Sequence, residues 1–167
     1  MAWGSNRASQ WLVGCFMALM AGAWAPVFAF QVHIQEYQTK FDNEKNPVRR
    51  AKLMDKLGEL QFEQLRADVR DDDLDTGIRV LDSYVNDCET VHRGLVDTGI
   101  NAEKKPDGFK QLEVSVRMNL HRLDELLVDI DAEQKKPFVA ARKKLMELNK
   151  QLVHELFPRQ PEADDSQ

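Results

Sequence analysis

The feature that most constrains the fold is the spacing of apolar residues, which recur every three or four positions from residue 31 to residue 157. In the clearest run, the residues step by 4, 3, 4, 3, 4 and 3: Leu74, Ile78, Leu81, Val85, Cys88, His92 and Leu95. Because an α-helix turns once in about 3.6 residues, this spacing places the whole run on one face. No segment shows a convincing period of two, which is typical of strands. The pattern therefore predicts an all-α helical bundle.

Start signals predict a short N-terminal helix and then the first of the main helices. The short helix is expected from Gln31 to about Glu44. Asn46 is then typical of an N-cap and Pro47 of a first helical residue, where the missing N–H costs nothing. This second helix is expected to end at about Val69. Its inward face is expected to carry Ala51, Met54, Leu57 and Leu65.

The other main helices begin at carboxylates or at proline. The segment 71–75, Asp-Asp-Asp-Leu-Asp, places negative charge near the positive end of the third helix dipole, and Gly99 follows that helix. Asp107 or a neighbour opens the fourth helix, and Pro137 opens the last. The fourth helix has the inward stripe Phe109, Leu112, Val116, Leu120, Leu123, Leu127 and Ile130. The last helix has the inward stripe Phe138, Leu145, Leu148, Leu152 and Leu156.

Together these signals predict one bundle domain over residues 30–157, built from about four main antiparallel helices and the short N-terminal one. Prolines and polar residues then predict a disordered tail over residues 158–167.

The first 29 residues predict an export signal. Arg7 is their only charge, and an uncharged stretch follows from Trp11 to Phe30. Val27 and Ala29 stand at positions −3 and −1 of a cleavage site that accepts small or compact residues. The sequence therefore predicts cleavage after Ala29 and a periplasmic or extracellular location.

Two alternatives to cleavage stay open. Residues 11–30 are long enough to cross a bilayer, since about 20 apolar residues suffice, and could stay as a membrane anchor. The segment 12–15, Leu-Val-Gly-Cys, also resembles a bacterial lipobox in which Cys15 carries the lipid. The apolar run mostly follows Cys15 instead of preceding it, which favours the other two interpretations.

Charge and cysteine content exclude some classes of function. The chain has 23 Lys and Arg against 28 Asp and Glu, so its net charge of −5 argues against a general nucleic-acid binder, which needs a concentrated basic surface. Cleavage after Ala29 would leave 138 residues and a charge of −6, because only Arg7 is lost. Cys88 would then be the only cysteine, so no intrachain disulfide could form.

Glu89 and His92 are the first candidates for metal ligands. They match the Glu-x-x-His pattern, which puts two ligands on one helix face in di-iron bundles. Such sites need a second copy and two further carboxylates, and the inward stripes of the other helices contain none. The sequence therefore favours a solvated Glu89 beside a core histidine. Cys88 and His92 are also one helical turn apart, as a thiolate–imidazole pair would be, but their place on the core stripe favours packing.

The remaining histidines, His33, His121 and His154, form no cluster with zinc-like spacing. His121 and Glu125 are spaced for a surface pair. A noncovalent haem held by histidine and methionine is the alternative, with Met54, Met118 and Met146 as candidates, although packing by methionine is commoner.

Asp71, Asp73 and Asp75 have the alternating spacing that opens a calcium loop. The sixth position of such a loop should be glycine and is Thr76, while the twelfth should be glutamate and is Asp82. Helix capping is therefore the favoured interpretation.

Short basic clusters at residues 49–50, 104–105, 135–136 and 142–144 complete the set of candidates. Solvated faces are their ordinary role, but clusters that converge in the fold could contact anionic lipid or an acidic partner. The sequence thus predicts an exported, cofactor-free and non-enzymatic bundle with a binding or structural role and an unidentified protein partner. A periplasmic metal- or haem-binding bundle is the alternative.

Overall fold

The fold is that of a computed structural model, which describes the backbone of residues 25–158 and the side chains of residues 33–158. Over this range the chain forms five α-helices and no strand: α1 (Ala25–Asn43), α2 (Pro47–Arg70), α3 (Leu74–Asp97), α4 (Asp107–Asp129) and α5 (Lys135–Leu156). The all-α prediction is confirmed. The signal segment up to residue 24, the lipid site at Cys15 and residues 159–167 of the tail lie outside the described residues, and cleavage after Ala29 stays a prediction.

Two of the predicted helix starts are confirmed in atomic detail. The Asn46 side chain accepts a hydrogen bond of 3.1 Å from the Arg49 N–H, and Pro47 is the first residue of α2. The Asp73 side chain accepts a hydrogen bond of 3.2 Å from the Thr76 N–H at the start of α3. Each cap satisfies a backbone donor that has no partner within its own helix.

Two predicted boundaries were wrong. α1 includes residues 25–30, which the sequence places before the short helix. α5 begins at Lys135 instead of Pro137, so that proline is the third residue of the helix. Proline fits there because the first four N–H groups of a helix have no intrahelical acceptor to lose.

Helices α2 to α5 form the bundle, and each runs antiparallel to the one before it. Gly77 near the start of α3 faces Leu65 near the end of α2. Gly108 at the start of α4 faces both Leu95 at the end of α3 and Val48 at the start of α2. α2 and α4 therefore lie side by side in the same direction, and so do α3 and α5.

Most of the predicted core is buried. The four inward residues of α2 and the five of α5 are all at most 6% exposed. Leu74, Ile78, Leu120 and Leu127 are only half-buried and pack against the edge of the core. The core also includes inward residues that the stripes omit: Leu60, Phe62, Tyr84, Val91, Leu126 and Ala141. No helix in the described range is long and apolar enough to cross a membrane.

α1 packs on α2 through a buried aromatic ring and a set of polar side chains. Phe41 is 2% exposed, and the Arg50 guanidinium lies 5.2 Å from the centre of its ring. Further along α2, the Gln61 side-chain amide donates to the Asp87 carboxylate at 3.3 Å. The side-chain amide of Gln38 on α1 donates to the same carboxylate at 3.5 Å. Asp87 on α3 thus accepts hydrogen bonds from both α1 and α2.

Candidate functional site

A buried polar cluster lies where α2, α3 and α4 meet. Its members are Gly58 of α2, Tyr84 of α3, and Ser115 and Asn119 of α4, and all four are buried. The Asn119 amide donates to the Tyr84 hydroxyl at 2.9 Å, and that hydroxyl donates to the Ser115 carbonyl at 3.2 Å. Burial raises the pKa of Tyr84, so the hydroxyl keeps its proton and can donate.

The packing around position 58 leaves no room for a side chain larger than that of glycine. A Cβ atom there would lie 2.7 Å from the Asn119 side-chain nitrogen and 2.8 Å from a Tyr84 ring carbon. The missing side chain allows α2 to approach α3 and α4 closely. The edge of the Tyr84 ring also meets the Phe62 ring, with centroids 5.1 Å apart and planes at 88°.

The polar cluster is structural because its hydrogen-bonding groups are used within the bundle. The Ser115 hydroxyl donates to the backbone carbonyl of Met54 in α2 at 3.4 Å, and the Arg122 guanidinium donates to the side-chain oxygen Oδ1 of Asn119 at 3.1 Å. A cleft of about 220 Å³ opens beside Ser115 and Asn119, and the charged residues on its walls include Asp55, Glu59 and Arg122.

The histidine that the sequence singled out lies at the edge of a different interface, between α3 and α5. His92 Nε2 lies 3.0 Å and 3.1 Å from the two carboxylate oxygens of Glu155. The side chains are 16% and 29% exposed, so His92 is close to solvent and is not the fully buried core residue that its stripe predicted. Sequence reasoning missed Glu155, because the two residues are 63 positions apart and no local spacing connects them.

An open groove separates α3 from α5 beside this pair. Its volume is about 760 Å³. The wall from α3 carries Glu89, His92, Arg93 and Val96. The wall from α5 carries Ala140, Lys143, Lys144, Glu147, Leu148 and Gln151. We call this the α3–α5 groove; it combines apolar side chains with three cations and two carboxylates.

The two metal candidates both lie on the wall of this groove. Glu89 and His92 share one face of α3, as their spacing predicts, but the hydrogen-bond partner of His92 is Glu155. Among the described residues, no group of three or more His, Cys, Asp or Glu side chains could hold a metal ion. The metal alternative therefore stays a prediction, and its test is loss of bound metal on His92→Ala.

Cys88 is poorly suited to nucleophilic chemistry in this fold. The side chain is fully buried, and burial raises the pKa of the thiol well above its usual range. A reactive thiolate needs the opposite shift. The structure thus favours packing for Cys88, whereas His92 pairs with Glu155 at the edge of the bundle.

The remaining candidates are dispersed. His121 Nε2 lies 3.7 Å from Glu125 in the expected surface pair. Met54 is fully buried, whereas Met118 and Met146 are 46% and 37% exposed on different helices. Capping by Asp73 accounts for one of the three carboxylates of the calcium-like pattern.

The basic clusters separate into two groups. Residues 49–50 lie in the first turn of α2, and residues 104–105 precede α4, so both lie at the end of the bundle where Gly108 faces Val48. Residues 135–136 and 142–144 all belong to α5. Two of the cations on α5, Lys143 and Lys144, line the groove.

Comparison with protein-family models, curated proteins and solved structures finds no match to this chain. The function must therefore be inferred from the residues themselves.

Proposed function

We propose that this protein is an exported, non-enzymatic binding protein that holds a segment of a partner protein in the α3–α5 groove. The observation that carries the proposal is the groove itself. Its volume of about 760 Å³ is comparable to the roughly 300–1,000 Å³ of small-molecule clefts, which is enough room for several side chains of a partner segment. Proposed export follows from the signal pattern of residues 1–29.

The chemistry of the walls defines the partner segment. Val96 on the α3 wall is 48% exposed and Ala140 on the α5 wall is also exposed, so each wall offers an apolar side chain that a partner can reach. Arg93, Lys143 and Lys144 add positive charge to both walls. A segment that presents apolar side chains flanked by Asp or Glu would bury the first and pair with the second.

The rest of the bundle suits a binding protein more than an enzyme. The polar cluster fixes α2, α3 and α4 relative to one another by side-chain hydrogen bonds. The α3 wall is therefore held rigidly, which limits the entropy lost when a partner binds. Cys88, the candidate nucleophile, is buried with a raised pKa.

Site-specific photocrosslinking in the native envelope tests the proposal. A photoreactive amino acid at position 140, in the groove, is expected to capture one reproducible partner. The same amino acid in place of the exposed Lys52, on α2, is expected to capture none. Arg93→Glu with Lys144→Glu should lower the yield at position 140 by roughly tenfold or more, since each reversal removes an attractive charge.

Lys104→Glu with Lys105→Glu is the matched control, because it makes the same change in net charge at an exposed site outside the groove. It should leave the yield unchanged. Equal capture from positions 140 and 52, or equal loss in the two double variants, would contradict the proposal.

A further inference from the structure

The outward face of α5 carries a second periodic stripe, distinct from the one in the core. Its residues step by 3, 4, 3, 4, 3 and 4: Lys136, Val139, Lys143, Met146, Lys150, Val153 and Phe157. The first six lie within α5, and Phe157 follows its last residue, with its N–H still bonded to the Val153 carbonyl. We call these seven residues the α5 stripe. The stripe alternates lysines with apolar side chains.

The stripe faces solvent. All three lysines are exposed, Val139, Met146 and Phe157 are 49%, 37% and 55% exposed, and Val153 is half-buried. These three account for half of the six large apolar side chains that are exposed in the described part of the chain. The core-facing residues of α5, such as Leu145 and Leu152, lie on the other side of the helix.

Charge distinguishes α5 from the rest of the molecule. The helix contains six Lys or Arg and two Glu, whereas the whole chain carries a net charge of −5. Arg142 pairs with Asp124 of α4, and Glu155 pairs with His92. None of the three stripe lysines forms an ion pair with another described residue, and Glu147 is the exposed acid nearest to them along the helix.

We propose that the α5 stripe docks the protein on an anionic lipid surface. Lysine stems can lie along the acyl boundary while their ammonium groups contact lipid phosphates. The apolar side chains between them, which recur about every two helical turns from Val139 to Val153, then enter the interface. An exposed stripe that carries both lysines and apolar side chains can therefore meet the lipid phosphates and the acyl boundary together.

A second copy of the chain is a less favourable occupant. Pairing two α5 stripes would bring six lysines into one interface without acids on the stripe to neutralise them. An anionic bilayer supplies that neutralisation. Lipid docking uses a surface beside the α3–α5 groove, and only Lys143 belongs to both.

Vesicle flotation of the full-length chain tests this inference. The protein is expected to float with vesicles of equal parts phosphatidylglycerol and phosphatidylcholine more than with phosphatidylcholine alone, and added salt should reduce the difference. Lys136→Glu with Lys150→Glu should lower the affinity for the anionic vesicles by about 1,000-fold, because four units of charge change at the surface. Met146→Gln should lower it by about fivefold.

Lys104→Glu with Lys105→Glu again provides the control, since it changes net charge equally away from the stripe. Its affinity should stay within about twofold of the original. All variants carry the same residues 1–29, so differences among them report α5 and not the N-terminal segment. Circular dichroism checks that each variant is folded.

Three outcomes would overturn the inference: no preference for anionic vesicles, equal loss in both double variants, or stripe variants that change self-association in sedimentation but not lipid binding. The groove residues Arg93 and Lys144 are unchanged in these experiments. Failure of lipid docking would therefore leave the proposed partner site untouched, and the crosslinking experiment would test that site separately.

Discussion

The two sides of α3 differ in how they are closed. On one side, α3 meets α2 and α4 through Tyr84, which is fully buried and hydrogen bonded at both its donor and its acceptor positions. On the other side, α3 faces α5 across an open groove, with the His92–Glu155 pair at the edge.

The contrast predicts different roles for the two sides of α3. Interdigitated polar groups specify a single arrangement, because any shift leaves a buried donor or acceptor without a partner. Apolar and charged groups that face an open groove impose no such requirement, and they are free to meet another molecule. We therefore expect substitutions in the polar cluster to act on stability, and substitutions on the α5 side to act on binding.

The largest effect is expected when the polar cluster loses its central amide. Asn119→Ala removes the donor to Tyr84 and the acceptor of Arg122, and it leaves a small cavity. Together these losses should lower the free energy of unfolding by about 2–3 kcal/mol, measured by urea denaturation. Asn149→Ala on α5 is the matched substitution. The side-chain carbonyl oxygen of Asn149 is buried and has no hydrogen-bond partner among the described residues, so this change should stabilise the protein by about 0.5 kcal/mol. Equal losses from the two variants would contradict the contrast.

A pair of glycine substitutions tests the packing at the same junction. Gly58→Ala should lower the free energy of unfolding by roughly 1–2 kcal/mol, because the new methyl group overlaps Asn119 and Tyr84. Gly94 lies in the last turn of α3, and a Cβ atom there would lie 3.4 Å from Pro47, an ordinary contact distance. Gly94→Ala should therefore raise the free energy of unfolding by about 0.5 kcal/mol. Thermal unfolding of both variants measures these changes. A Gly58→Ala variant that is as stable as the original chain would mean that α2 is not held closely against α4.

The smallest effect is expected at Asp87 and depends on pH. Burial, followed by the nearby Asp42, raises the pKa of Asp87, while hydrogen bonds from Gln61 and Gln38 and the charge of Arg50 oppose the shift. The folded state therefore holds this proton more tightly than the unfolded chain, and stability falls as pH rises from the ordinary value of 3.8 through the raised one.

Asp87→Asn removes the ionisable group and with it this pH dependence of stability. The gain in free energy of unfolding over the original chain, measured by urea titration, should therefore grow between pH 4 and pH 7. Asp73→Asn is the control of opposite sign. Hydrogen bonding with Thr76 lowers the pKa of Asp73, and the stability from this cap is present above pH 3.8 and lost as pH falls through the lowered value. If the two chains differ in free energy of unfolding by the same amount at every pH, the pKa of Asp87 is not raised by folding, and the prediction is wrong.

Much of the fold could be predicted from the sequence because helix periodicity and capping are local. The α3 stripe from Leu74 to Leu95 and the caps at Asn46 and Asp73 depend on residues within one or two turns of one another. The start of α5 was misplaced because proline is compatible with several positions of a first turn, so Pro137 alone does not fix the boundary.

The sites were harder to predict because they join distant residues. Tyr84 lies off the apolar stripe, and its partners Ser115 and Asn119 would be assigned to the solvent face of a helix by polarity alone. Gly58 in mid-helix was the one available signal, since glycine there costs helix stability and needs a packing reason. The pairing of His92 with Glu155 depends on the parallel arrangement of α3 and α5, which periodicity does not encode.

The burial of Tyr84 also has an optical consequence. All three tryptophans, Trp3, Trp11 and Trp24, precede Ala29, and the chain has only two tyrosines, Tyr37 and Tyr84. A chain that keeps its first 29 residues would emit as a tryptophan protein, whereas one cut after Ala29 would show tyrosine emission alone. Because Tyr37 is half-buried and Tyr84 is not exposed at all, the near-ultraviolet circular dichroism of the shortened chain would come mainly from one ring held at the junction of three helices.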